Sequence, residues 1–138
     1  MAHMRIRQAA AVLGVSDDTL RRWIEDGRLA ATSDEAGRRV VEGAELARCA
    51  RDLAQDSPMR ELDAAPGQHS VRNHFTGLVT ALVIDGVMAQ VDIQAGPFRV
   101  VSLISAEAAR ELELEVGSLA TGVVKATNVS VQKPAARP

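Results

Sequence analysis

Between residues 5 and 55 apolar positions recur three or four apart with polar residues between them. Beyond residue 70 they gather into short Val-, Ile- and Leu-rich runs bounded by Gly, Pro and Asp. The first spacing is that of helices buried along one face, the second that of strands. Residues 5–13 predict a helix ended by Gly14. Ser16, followed by two aspartates whose charge suits a helix N-terminus, predicts the cap of a second helix through "TLRRWIED", ended by Gly27. "GRRV" at 37–40 predicts a tight hairpin or wing, and 43–55 a third helix with Leu46 and Leu53 inward. Further on, "LVTALVI" and "VMAQVDI" predict strands joined at Asp85-Gly86, a dipeptide suited to the mirror-image turn of a two-residue hairpin. "AGP" at 95–97 turns the chain into a third strand, "FRVVSLI". Ser105 then caps a helix over "AEAARELEL", with Glu107 in its first turn and Gly117 ending the element, and "LATGVVKATNVSV" supplies the last strand or strands.

Between the two patterns lies "QDSPMRELDAAPGQH", whose Pro58 and Pro66-Gly67 give it the composition of a linker. The expected organisation is a helical domain over 1–58, a linker over 59–69, a small β-barrel or sandwich with one helix over 70–133, and a flexible tail over 134–138. The fold class is α+β. "MAH" ahead of Met4 reads as an expression scar and is left out of this expectation.

Composition narrows the function. With 46% apolar and 25% charged residues in 138, the chain is globular, long enough for one ordinary domain or two very small ones. Aromatics make up 2% and Tyr is absent, so the cores must be Ala, Val, Leu and Ile, and small aliphatic cores lean on oligomerisation. The single cysteine, Cys49, excludes an internal disulfide and a cysteine-rich zinc site, and its helical setting points to a buried, inert thiol. No apolar run approaches the ~20 residues that cross a bilayer and no signal peptide is visible at the start, which makes a cytoplasmic location the expectation. The net charge is −2, and residues 1–69 hold ten Arg, no Lys and twelve acidic residues. Any nucleic-acid contact must come from local placement of arginines, not bulk charge. His69 and His74 lack companion Cys or acidic residues and read as solvated linker or strand-edge side chains. No nucleophile–base pair or paired carboxylates suggest an enzyme.

The segment "LGVSDDTLRRWIEDGRLAATSDEAGRRVVEGAEL" resembles the DNA-binding module of the MerR, excisionase and BldC superfamily: an "LGVS" turn, a "TLRRW" helix followed by "GxL", a wing with paired arginines, and an acidic-Leu pair, here Glu45-Leu46. The resemblance implies a winged helix-turn-helix in which Ser16, Thr19, Arg21 and Arg22 face DNA from the recognition helix and Arg38 and Arg39 contact phosphate or the minor groove. The alternative for these arginines is ordinary surface charge, which the neighbouring Asp17, Asp18, Glu25 and Asp26 leave open. Trp23 reads as core beside Leu20 and Leu29, and Arg28 as a solvated helix-end charge. The long coiled-coil helix of MerR dimers is missing.

"SVRN" at 70–73, "LISAEAARELELEVG" and "VVKATNV" together resemble the Mop domain of the TOBE superfamily, which carries "SxRN", "ITxxS" and "K[AS][ST]xV" in that order. The resemblance implies an OB-like barrel that pairs with copies of itself, as a dimer or trimer of dimers, and holds molybdate or tungstate between subunits. Carried over, the oxyanion-binding set is Ser70, Arg72, Ser105, Lys125, the backbone of Ala126, and Thr127. Asn73 either holds the turn or joins the set. Ala108 stands where the family has its second hydroxyl. A dianion offers only acceptors, and this set offers donors. The combined expectation is a molybdate- or tungstate-responsive, DNA-binding transcriptional regulator with no redox cofactor. Its rivals are a molybdate storage protein whose head does not bind DNA and an architectural DNA-binding protein whose barrel only oligomerises.

Overall fold

The computed structural model describes residues 2–62 and 70–135. Residues 63–69 of the expected linker, His69 included, residues 136–138 of the expected tail, and Met1 lie outside the described residues. The chain divides into two compact units between Ser57 and Pro58.

In the first unit, α1 (Ile6–Leu13), α2 (Asp17–Glu25) and α3 (Gly43–Gln55) surround a core of Ala9, Ala10, Leu20, Leu29, Val41, Leu46 and Cys49, with Trp23, Ile24 and Leu53 at its margin. Cys49 is buried. The turn between α1 and α2 is set by two local devices. Gly14 takes a left-handed φ of 71° so that its N–H reaches Ala11 O (3.2 Å) and the Val15 N–H reaches Ala10 O (3.0 Å). Two residues on, Ser16 Oγ accepts the Thr19 N–H at 3.1 Å and starts α2. Strands β1 (His3–Arg5), β2 (Thr32–Ser33) and β3 (Arg39–Glu42) form an antiparallel sheet in the order β1-β3-β2, and β2 with β3 makes the wing. The "MAH" segment set aside from the sequence belongs to this sheet in part. His3 pairs with Glu42, and Ala2 O accepts the Gly43 N–H at 2.8 Å. Backbone pairing of this kind leaves no side-chain signature.

The second unit is one antiparallel sheet of β4 (Asn73–Asp85), β5 (Met88–Ala95), β6 (Phe98–Ser105) and β7 (Leu119–Val124), in the order β6-β5-β4-β7, with α4 (Ala106–Glu111) between β6 and β7. β4 serves two partners: Asn73 to Leu78 pair with β7, and Leu78 to Asp85 pair with β5. The change of partner falls where the strand bends. The ladder shifts between Val79 and Ala81, and Gly77 packs so closely on Gln94 that an added Cβ would stand against its carbonyl. The sheet therefore curls into an OB-like barrel. Although β6 and β7 are opposite edges, a Cβ on Gly122 would lie 3.1 Å from Val100 Cγ1. Val79, Val91 and Ile93 form the core, joined by Leu82, Val100, Ile104, Leu114 and Ala120.

Three local expectations shift. The first hairpin turns at Gly86-Val87, with Asp85 paired to Met88; Gly86 (φ 61°) and Gly96 (φ 58°) each occupy the first loop position. α4 stops at Glu111 because Glu113, at φ 53°, closes it: the Glu113 N–H bonds Arg110 O and the Leu114 N–H bonds Ala109 O, which turns Leu114 into the core. Gly117 was the wrong stop signal, since the cap here is a glutamate. Finally, the C-terminal pattern yields one strand only. After β7 the chain makes a single 3-10 turn, Ala126–Asn128, and Val129 to Pro134 run on exposed.

Candidate functional site

The last pair of the β4–β7 ladder is Asn73 with Val124. Ser70 to Arg72 enter that pair and Lys125 to Thr127 leave it, so the two motifs, about fifty residues apart in sequence, emerge side by side at one end of the barrel. Two hydrogen bonds fasten this end. Asn73 Nδ2 donates to Val124 O at 3.1 Å and binds the two strands across the ladder. His74 Nε2 lies 2.7 Å from Val71 O, the ring N–H donating to the carbonyl, and so holds the segment carrying Arg72. His74 is half-buried near the start of β4, where the strand pairs on one side only, so it is a strand-edge side chain, though an engaged one. The sequence signal was available: a histidine two residues after an arginine, with no metal-binding companion, has its own backbone within reach.

Arg72, Lys125 and Thr127 are exposed, and neither Arg72 nor Lys125 has an ion pair among the described residues. No Asp or Glu occurs between Ser70 and Thr80 or between Ser118 and Lys133. Lys125 precedes the 3-10 turn, whose own bonds run from Asn128 N–H to Lys125 O and from Val129 N–H to Ala126 O. The N–H groups of Ala126 and Thr127 come ahead of those bonds. These two segments thus offer charge, hydroxyls and backbone N–H groups and contain no carboxylate of their own. That is the chemistry a tetrahedral dianion fits.

Ser105 is elsewhere. It pairs with Met88 beside the β4–β5 turn, at the far end of the 13-residue β4 from Asn73, a path of about 40 Å along the strand. Its Oγ accepts the Ala108 N–H at 3.0 Å as the cap of α4. Within one chain the Asn73–Val124 pair brings the segment of Ser70 and Arg72 and the segment of Lys125, Ala126 and Thr127 to the same end of β4, and Ser105 lies at its other end.

On α2, Asp18, Arg21, Arg22 and Glu25 share the outer face. Arg21 Nη1 is 3.3 Å from Asp18 Oδ1, while Arg22 has no ion pair among the described residues. Ser16 and Thr19 are occupied with each other: the Ser16 hydroxyl donates to Thr19 Oγ1 at 2.9 Å as well as capping the helix. In the wing, Asp34 accepts the Ala36 and Arg38 N–H groups and Arg38 Nε (3.0, 2.8 and 3.1 Å). These bonds, the Arg38 backbone N–H foremost, lower the Asp34 pKa from its ordinary value. Arg39 stays exposed without an ion pair among the described residues. Glu45 Oε1 accepts Arg48 Nη2 at 2.7 Å and the Ala30 N–H at 3.4 Å, tying α3 to the segment before the wing. Arg28 does not stand free in solvent. Its guanidinium lies over the Trp23 ring, 4.5 Å from the centroid. Sequence reading also missed Asp92, buried on β5 and held by Gln90 and Arg99.

Residues 69–131 match the family model described as the TOBE domain, and residues 4–52 match the one described as the helix-turn-helix domain. The chain is 30% identical to a molybdate-binding protein from Sporomusa ovata, across 48% of this chain and 98% of that one (TM-score 0.46). It is 34% identical to MopII from Clostridium pasteurianum, across 48% and 100% (TM-score 0.45). The chain belongs to the TOBE family. Its TOBE domain follows a helix-turn-helix domain. The cytoplasmic molybdate-binding protein ModG, in its molybdate-bound form, is 32% identical across 46% of each chain (TM-score 0.43). A comparison with curated protein sequences gave no match. No described helix is long and apolar enough to cross a membrane.

Proposed function

We propose that this TOBE protein is a molybdate- or tungstate-responsive transcriptional regulator: the barrel binds the oxyanion and the helix-turn-helix domain binds DNA. The observation that carries the reading is the Asn73–Val124 pair, which supports Arg72 and Lys125 facing one anion from two adjoining segments that contain no carboxylate. Arg72 supplies a planar fork and Lys125 a point charge, with Ser70, Thr127 and the Ala126 N–H completing a donor set. Ser105 stands at the other end of β4, so it joins the same anion only from a second chain, and the barrel acts as an oligomer. Binding at such a junction changes how the DNA-binding heads are spaced, which links anion and DNA affinity.

Molybdate is preferred to hydrogen phosphate, whose proton finds no acceptor here. It is preferred to sulfate because the smaller ion cannot meet every preset donor. Calorimetry of the full chain with molybdate, tungstate and sulfate tests the anion half, and equal affinity for sulfate sinks it. Promoter DNA binding, followed by fluorescence anisotropy with and without molybdate, tests the other half. A second reading, molybdate storage with a head that binds no DNA, is favoured by the acidic residues interleaved on the outer face of α2 and by the tether of Arg21 to Asp18. It predicts anion binding with no specific DNA binding.

A further inference from the structure

On the outer face of α2 the most exposed side chain of its ion pair is the acid. Asp18 is 96% exposed against 53% for Arg21, and its Oδ1 lies 3.3 Å from Arg21 Nη1. Asp18 stands in the first turn of α2, which Ser16 caps, and Arg21 follows one turn on along the same face. The fold makes little use of this pair. An exposed ion pair adds little to stability, and Asp17 already sets a carboxylate at the helix N-terminus. Asp34 shows the contrast: its carboxylate is turned into the wing, where it accepts the Ala36 and Arg38 N–H groups and Arg38 Nε. Asp18 accepts from Arg21 alone among the described residues.

We propose that Asp18 is a base-reading residue: joined to Arg21, it forms an acceptor and donor pair that selects a C·G base pair in the major groove. The proposal rests on the reading that the helix-turn-helix domain binds DNA, with the first turns of α2 at the base edges. Acceptor chemistry limits the choice. Guanine and thymine present no donor in the major groove, so a carboxylate can accept only from cytosine N4 or adenine N6. Beside adenine N6 stands the N7 acceptor, which repels a carboxylate. Cytosine has no such neighbour, and the guanine paired with it offers O6 and N7 to a guanidinium. Arg21 gives one N–H to Asp18 and keeps the rest of its fork for that guanine. A site without cytosine at this position leaves the carboxylate unpaired, which adds rejection to attraction. Arg22 has no ion pair among the described residues and is free to neutralise phosphate, a contact that carries no sequence information.

Selection of sites by the full chain from a pool of randomised duplex DNA, with molybdate and without, tests this. The unmodified chain should enrich a site with C·G at one position for each bound head. In fluorescence anisotropy, an A·T pair placed there should weaken binding roughly tenfold or more. Asp18→Ala should lose that preference and keep the others. Asp18→Asn should turn it to A·T, because an amide matches adenine N6 and N7, an effect that a mere helix-end charge would not produce. Arg22→Ala should weaken binding to every duplex alike and reduce the slope of its salt dependence by about one. Circular dichroism confirms that the helices remain folded in each variant. An enriched site with no such position, C·G kept there in either Asp18 variant, or a uniform loss of binding in Asp18→Ala overturns the proposal and leaves the regulator reading standing. If the unmodified chain enriches no site at all, the DNA half of that reading falls together with it.

Discussion

In the proposed anion site Arg72 and Lys125 carry the argument: both are exposed beside the Asn73–Val124 pair, and neither has an ion pair among the described residues. Arg72→Ala should weaken molybdate binding roughly ten- to hundredfold, the cost of a lost charge-assisted contact, with partial recovery in Arg72→Lys because the fork is lost but the charge kept. Arg110→Ala, on the outside of α4, should leave it unchanged; calorimetry on the three variants decides. Asp92 is a residue of the opposite kind, charged and buried. Gln90 Nε2 donates to its Oδ1 at 3.1 Å, and Arg99 reaches Oδ2 through Nε (2.8 Å) and Nη2 (2.7 Å). The Gln90 hydrogen bond first, and Arg99 next, hold its pKa below the ordinary 3.8. A carboxyl with a depressed folded pKa binds fewer protons folded than unfolded. Its stabilisation is therefore complete above the unfolded pKa and is lost as pH falls through the folded one. Melting temperatures followed from about pH 6 down to about pH 3 should fall less steeply in Asp92→Asn than in the unmodified chain. An identical slope would mean that Asp92 contributes nothing to acid stability.

At the level of elements, the caps were legible and the bend was not. Ser16 and Gly14 act through bonds to residues three to five positions away, so their sequence neighbourhood contains their cause. The same holds for Ser105 at the start of α4. Glu113 shows the limit, since a left-handed cap made by a glutamate carries no glycine to announce it. Gly77 shows a stronger limit. Its neighbours in sequence read as an uninterrupted strand, yet it is required because β4 passes over the Gln94 backbone there as it changes partner. Gly77→Ala should destabilise the barrel by about 1–3 kcal/mol or more, seen as an early melting transition of the second unit while the helical unit keeps its own. Equal melting of Gly77→Ala and the parent would show that the bend is free to relax.

For the molecule as a whole, each unit has its own core and the two differ in how complete that core is. The helical unit buries Leu20, Leu29 and Val41 almost entirely. The barrel leaves Leu103, Val116 and Val131 in water and a cleft open beside Ile93. A fragment of residues 66–138 should therefore be folded and oligomeric, and a fragment of residues 1–60 folded and monomeric, by sedimentation velocity. A monomeric barrel with a dimeric head would reverse the assignment.

The sequence by itself determined the two periods, the helix starts, the wing arginines and the donor residues of both barrel motifs, because each is written in residues close together along the chain. Only the tertiary structure decided which of those donors are neighbours. The pairing of Asn73 with Val124 joins two segments that share no local signal, while the full length of β4 keeps Ser105 away from them. The same long-range pairing left β6 and β7 as open edges. Ladder register is set by packing across the whole sheet, and no window of sequence contains it.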